Sequence, residues 1–370
     1  MDNFVSFPRH HYAHCSQYVP DMESDIRNMF DPEKDGGLEF TDLQGFVAYK
    51  DGKTVGRILG IINHKANEKW KVKNVRFGYI EFIDDQEVSA ALLDAVGQWG
   101  REKGMDCIEG PLGITDFDKE GMLVEDFDLD GSMTAIYNYD YYPQHMEALG
   151  FEKEADWQQV RINIPKEIPA KYARVAKYAR EMVGLKLIKV TARDIWEGGY
   201  AKKIFDLFNE AYAPLFGFSS FTSQQARDFL KKYVPLLDLD LVPVVENDKG
   251  EMVGMAVTVP SYAKALKKSR GRLWPFGWLY LLPSLIAKRS DSTEMLLIAV
   301  RPDYQGLGVN AMFFDDLIPI YNKKGIKWAE TGPQLEYNVR EQNQWKPLNP
   351  QTVKRRRCYK KELTTEQKKY

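Results

Sequence analysis

The alternation of apolar and polar positions, punctuated by glycine and aspartate, predicts the order of elements. Phe46-Val-Ala-Tyr-Lys-Asp-Gly-Lys-Thr-Val-Gly56 is an apolar run, an Asp-Gly turn and a second apolar run. Asp-Gly tolerates the positive φ of a tight turn, so the stretch predicts a β-hairpin. Apolar Val75–Ile83 predicts a central strand, and Asp85–Glu102 a helix. Asp84 and Asp85 stand at its N-terminus, where carboxylates meet free amides and the positive end of the dipole. In the second half, Val242 to Gly254 repeats the hairpin with a longer turn, Glu294–Val300 predicts the central strand, and a helix opens near Gly308. Gly104 and Gly325 are placed as helix C-caps, where left-handed backbone is wanted. Between the halves, Pro165–Pro169 reads as a link and Ala170–Met182 as a helix, with Val175, Tyr178 and Met182 as its apolar face.

The two halves echo each other. Trp99-Gly-Arg-Glu-Lys-Gly104 leads into Cys107-Ile-Glu-Gly110-Pro111, and Tyr321-Asn-Lys-Lys-Gly325 leads into Trp328-Ala-Glu-Thr-Gly332-Pro333. Gly254 follows Gly56 by 198 residues and Gly332 follows Gly110 by 222, so the second copy carries about 24 extra residues, with Tyr262–Leu285 as the candidate. The expected organisation is an N-terminal copy over 1–165, a linking helix over 166–187 and a C-terminal copy over 188–370. Strands and helices mix within each copy, which predicts an α/β chain.

Composition narrows the function classes. With 51 Lys+Arg against 53 Asp+Glu, the formal net charge is -2, and hydrophobic residues make up 44%. Such a chain is neither a polycation built for DNA nor an acidic disordered segment. Cys15, Cys107 and Cys358 are odd in number and far apart, which argues against a disulfide framework. The start has no apolar signal-like core, so a cytoplasmic protein is expected. Trp274–Ala287 is the most apolar stretch but falls short of the about 20 residues that a bilayer span needs. It reads as packing between the copies, with an acyl-chain or lipid pocket as the alternative.

One segment carries chemistry: Glu294-Met-Leu-Leu-Ile-Ala-Val-Arg-Pro-Asp-Tyr-Gln305-Gly306-Leu-Gly308-Val-Asn310. A strand, a Pro-containing turn, a glycine-bearing loop and a helix start form the layout of an anion cradle, because backbone amides converge on phosphate oxygens there. It is not a dinucleotide fingerprint, which wants three spaced glycines, nor a P-loop, which wants Gly-Lys-Ser/Thr.

These residues resemble the GCN5-related N-acetyltransferases, whose coenzyme A loop follows a strand with the pattern Gln/Arg-x-x-Gly-x-Gly/Ala, here Gln305, Gly308 and Asn310. The likeness covers both halves, with a narrower likeness to bacterial tandem proteins through Val55-Gly-Arg-Ile58 and Gly110-Pro111. It implies two tandem domains, each a mixed β-sheet flanked by helices, and an acyl-CoA-dependent N-acyltransferase using acetyl-CoA or another acyl-CoA without a metal. By that resemblance the coenzyme contacts are Ile298, Ala299, Val300, Gln305, Gly306, Leu307, Gly308, Val309, Asn310 and Asn338. Glu294 stands where members place a general base. The general-acid Tyr expected seven residues after Asn338 is Trp345, so Tyr337 or Tyr359 is the substitute, or the thiolate leaves unaided. The first copy has Asp84-Asp85-Gln86-Glu87 in place of the loop and is expected not to bind coenzyme, since three carboxylates would repel a pyrophosphate.

Two other functions stay open: a catalytically inactive acyl-CoA-binding or scaffold protein, and an aminoacyl-tRNA-dependent peptidyl transferase, which would need a basic surface. The expected acceptor is a small-molecule or peptide amine. Asp126-Phe-Asp128-Leu-Asp130-Gly131 opens like a calcium loop but has Tyr137 where a bidentate Glu belongs. His10, His11, His14 and Cys15 lack a second ligand cluster and read as a mobile N-terminal segment. Lys354-Arg-Arg-Arg357 reads as a terminal strand with a charged face.

Overall fold

A computed structural model describes residues 1–115, 118–287 and 290–363, apart from the side chains of Lys232 and Leu236. Thirteen strands are present among them: β1 (Thr41–Lys50), β2 (Lys53–Asn63), β3 (Asn74–Phe82), β4 (Cys107–Gly110), β5 (Met122–Leu123), β6 (Glu152–Asn163), β7 (Lys186–Lys189), β8 (Pro243–Glu246), β9 (Met252–Pro260), β10 (Ser292–Val300), β11 (Trp328–Thr331), β12 (Gln334–Leu335) and β13 (Gln351–Glu362). The chain divides into two compact units: Met1–Gln158 with Ala263–Leu281 and the described part of Lys354–Tyr370, and Gln159–Tyr262 with Leu282–Val353.

The first unit's sheet runs β1-β2-β3-β4-β13-β6. The β1–β2 and β2–β3 pairs are antiparallel and β3–β4 is parallel, the connection passing through the helix Gln86–Glu102. That helix buries Val88, Leu92, Leu93 and Val96 in one cluster with Ile58, Ile62, Val75 and Phe77. Asp85 caps it by accepting the Glu87 amide, as the first-turn carboxylates predicted. Residues of the chain's last strand complete this sheet: Tyr359 is in register with Gly110 across the β13–β4 pair.

The second unit repeats the plan. Its order is β6-β11-β10-β9-β8-β7, with β8–β9 and β9–β10 antiparallel and β10–β11 parallel. The helix Val309–Lys324 makes the parallel connection and buries Met312, Phe313, Leu317 and Tyr321. Residues 161–163 of β6 pair antiparallel with β11. The first unit's sheet thus takes in β13 from the second half of the sequence, and the second unit's takes in β6 from the first half.

Several expectations are corrected. The helix spans Ala170–Met182 as predicted, but its buried face is Tyr172, Ala176 and Ala179, while Tyr178 and Met182 are 54% and 73% exposed. Leu185, Val309 and Phe314 share a core with the buried set, so small alanines that allow close helix contact decide the face. The N-terminal segment is not loose: Asp2–His11 is a helix with Phe4, Val5 and Phe7 in the core, and His11 hydrogen-bonds Tyr142 at 3.1 Å. Burial lowers the His11 imidazole to about 4. The basic run 354–357 is a strand, yet Lys354 and Arg356 point inward and are buried. Arg357 forms a two-point pair with Asp156 at 2.9 and 3.1 Å. The extra residues of the second copy form the helices Ala263–Ser269 and Trp278–Ala287. Far from being packed inside, most of 273–281 is exposed.

Candidate active site

The site begins with how β10 is paired. On one side β9 follows it to Val300; on the other, β11 accompanies it only from Ser292 to Met295. From Leu296 onward that second edge is free of strand partners among the described residues. The Arg301 amide bonds the Val253 carbonyl at 2.9 Å. By the alternation of an antiparallel ladder, Ala299 then faces β9, and Ile298 and Val300 face the open side. Side chains meet their carbonyls there: the Tyr212 hydroxyl donates to Ile298 at 3.2 Å and the Gln305 amide to Val300 at 3.3 Å. Of the three strand residues the sequence suggested, Ile298 and Val300 present backbone groups to the open edge and Ala299 does not.

At the end of β10 the chain turns through Pro302–Tyr304 into the glycine loop. Arg301 holds that turn through Asp303 at 2.8 Å and Glu251 at 3.3 Å. Gly306 and Gly308 have φ of +84° and +93°, a left-handed backbone that favours glycine. A Cβ on Gly306 would meet nothing within 4 Å, whereas one on Gly308 would lie 3.0 Å from Val175 Cγ1 and 3.1 Å from Ala179 Cβ. Gly306 thus leaves open room at the loop, and Gly308 lets the helix Ala170–Met182 approach. Gly308 is the N-cap of the next helix, and the first intrahelical bond recorded there is Met312 to Gly308 at 3.2 Å. The amides of Val309, Asn310 and Ala311 precede it and have no intrahelical acceptor, so they are free to take an anion. Leu307 is 37% exposed beside them, while Val309 is buried.

The loop's flank was not visible in the sequence. Arg340 donates to the Gln305 side chain at 3.0 Å, and the Asn310 side-chain Nδ2 donates to the Gln344 side-chain Oε1 at 2.7 Å. Both partners lie on the short helix Val339–Gln344, which Asn338 caps by accepting the Glu341 amide at 3.4 Å while donating to its carboxylate at 2.8 Å. Burial pushes the Glu341 carboxyl up to about 7. Asn338 therefore orients this helix, and Arg340 brings a cation to the loop. A register argument from sequence could not place a one-and-a-half-turn helix there, because its contacts are all side-chain contacts.

Glu294 is 4% exposed and accepts a hydrogen bond from Ser261 at 2.9 Å. Its register partner across β10–β11 is Glu330, itself paired in register with Arg161 of β6. Arg161 bonds Glu330 at 2.9 Å and Gln159 does so at 3.3 Å. Glu330 was missed in the sequence, where no spacing marks it out. The acid candidates are separated by environment. Tyr337 is 58% exposed just before the helix Val339–Gln344. Tyr359 belongs to the first unit's core, where burial raises its hydroxyl to about 12. Trp345 is buried, edge-on to Phe314, with its indole N–H on Gln334 at 3.2 Å.

The corresponding helix start of the first unit is occupied by its own side chains. Asp85 accepts the Glu87 amide at 3.0 Å and pairs with Lys50 at 2.6 Å, and Asp84 bonds His145 at 3.0 Å. A phosphate there would have to displace a built-in carboxylate. No group of three or more His, Cys, Asp or Glu that could hold a metal is present among the described residues.

No protein-family model matches the chain. It is 26% identical to Protein YghO of Escherichia coli K12, over 97% of this chain and 92% of that protein. It is 24% identical to a bacterial ceramide synthase of Caulobacter vibrioides, over 82% of this chain and 79% of that protein. Among solved structures it is similar to a tandem GNAT protein from the clavulanic acid biosynthesis pathway, with a TM-score of 0.58 at 11% identity over 99% of this chain and 96% of that one. The fold is thus the tandem GCN5-related N-acetyltransferase fold, as the loop's resemblance implied.

Proposed function

We propose that this chain, which has the tandem fold of the GCN5-related N-acetyltransferases, transfers an acyl group from acyl-coenzyme A to an amine in its second unit. The observation that carries the reading is the conjunction of an open β10 edge with a glycine loop whose helix-start amides are free. The edge suits an amide-bearing pantetheine arm, and the loop suits a pyrophosphate. A single helix-terminus contact is worth only about 0.3–1 kcal/mol, so several amides and the Arg340 cation would act together. The first unit, whose equivalent amides are capped by Asp85, is left as a structural or acceptor-side domain.

In this mechanism, open-edge amides of Ile298 and Val300 polarise the thioester carbonyl. The amine nitrogen attacks the carbonyl carbon, the C–N bond forms and the C–S bond breaks. Glu294 takes the proton from the attacking nitrogen. The thiolate leaves either unprotonated or with a proton from Tyr337; Tyr359 and Trp345 are poor suppliers, one held in the other unit's core and one lacking an acidic proton. Because one relative is named for ceramide synthesis, long-chain acyl-CoAs and lipid amines stand first among the donors and acceptors to try.

Thiol release from acetyl-CoA and long-chain acyl-CoAs, measured against a panel of amines, tests this reading. Amine-dependent release is expected, and Glu294→Gln should lower turnover while sparing acyl-CoA binding. No release with any pair overturns it; binding without turnover would favour an acyl-CoA-sensing protein, a role that Trp345 at the acid position motivates.

A further inference from the structure

We propose that residues 273–281 dock on the surface of an anionic lipid bilayer, holding the protein at the membrane interface without crossing it. In this stretch Leu273, Trp274, Phe276, Trp278, Leu279 and Tyr280 are 45%, 75%, 67%, 42%, 49% and 46% exposed, while Gly277 and Leu281 are buried. Large apolar residues scattered singly on a surface need no explanation; six within eight positions form a patch that does. Tryptophan and tyrosine are the side chains suited to a headgroup boundary, since each has an apolar body and a polar edge.

Charge identifies the occupant. Lys264, Lys267, Lys268, Arg270 and Arg272 lie just before the patch, and no Asp or Glu occurs from Ala263 to Ser290. Asp130 engages Lys267 at 2.6 Å and Glu23 lies 3.8 Å from Arg272, which is still 48% exposed. Lys268 and Arg270 are exposed. Beside the run lies a cleft of about 200 Å³ lined by Arg9, Tyr12, Tyr18, Lys267 and Arg270, where Arg9 pairs with Glu23 and Lys267 with Asp130 while Arg270 is exposed. A basic run next to an aromatic patch complements anionic lipid and would repel its own copy on a second molecule.

The local backbone also suits this role. Several of its polar groups are satisfied internally: the Trp278 amide bonds the Leu273 carbonyl at 3.0 Å, the Leu279 amide the Phe276 carbonyl at 3.1 Å, and the Trp278 indole the Pro275 carbonyl at 3.1 Å. Those groups enter the interface already paired. The helix Trp278–Ala287 has ten residues and an internal Pro283, and no helix among the described residues is long and apolar enough to span a bilayer.

Vesicle flotation of the full chain tests the proposal and is read without any turnover, so its outcome is separate from that of the acyl-transfer reading. Binding is expected to vesicles of phosphatidylcholine with phosphatidylglycerol, with at least tenfold weaker binding to phosphatidylcholine alone or at high salt. Trp274→Ser with Phe276→Ser, at the two most exposed positions, should abolish flotation while the thermal unfolding midpoint stays unchanged; Lys268→Glu with Arg270→Glu should reduce it at least tenfold. The proposal is overturned if the wild-type protein fails to float with anionic vesicles, or if the Trp274/Phe276 variant floats like wild type. It is equally overturned if light scattering finds a wild-type oligomer that the same substitutions dissolve and that never binds vesicles.

Discussion

Glu294 and Glu330 sit side by side on parallel strands, and their surroundings assign them different work. Arg161 and Gln159 converge on Glu330, whereas Ser261 donates to Glu294. Replacing Glu330 by Gln removes the negative charge facing Arg161 and one of two acceptor oxygens, and should cost about 1.5–3 kcal/mol of stability, readable by denaturant unfolding. Glu294→Gln should lower turnover about 100-fold or more, the scale of a lost general base. Glu341 makes a separate pH prediction. Its folded-state value near 7 lies above that of an unfolded carboxyl, so its contribution to stability is full below the ordinary carboxylate range and is lost as pH rises through about 7. The thermal midpoint should therefore fall more steeply between pH 5 and 8 in the wild type than in Glu341→Gln.

Among the elements, the glycine loop separates two roles that look alike in sequence. Gly308→Ala would press a Cβ onto Val175 and Ala179 in left-handed backbone and should destabilise the fold by about 1–3 kcal/mol, measured by thermal unfolding. Gly306→Asp adds a Cβ that meets nothing within 4 Å and carries only the modest left-handed cost an Asp tolerates, yet places a carboxylate at the cradle. It should weaken acyl-CoA binding at least tenfold in calorimetry, with little loss of stability. Sequence spacing located this loop because strand, turn and helix start are local patterns. Local pattern also placed the helix Ala170–Met182 to the residue. Of the face it chose, Val175 packs on the core while Tyr178 and Met182 are exposed, since an alanine stripe buried by a close neighbour has no hydrophobic signature. The helix Val339–Gln344 was invisible for a related reason: it is too short for periodicity, and Arg340 and Gln344 matter through what they touch.

For the molecule as a whole, the internal echo in sequence corresponds to two sheets of the same strand order, with the surplus residues forming the helices around 263–287. Which strand completes which sheet was not legible, because pairing between distant segments leaves no spacing to read. Residues 354–362 of β13 pair with β4 and β5, so truncation after Pro350 should disturb the first unit despite being made at the far end of the chain. Hydrogen exchange of the truncated protein should show lost protection at Cys107–Gly110; retained protection there would contradict the strand assignment. Hydrogen exchange of the intact chain with and without an acyl-CoA tests the central claim most directly. The account predicts new protection at residues 305–312 and along 296–300, with 84–89 unchanged, because the second unit's amides are free and the first unit's are already capped. Protection at 84–89 instead, or none at millimolar acyl-CoA, would contradict it.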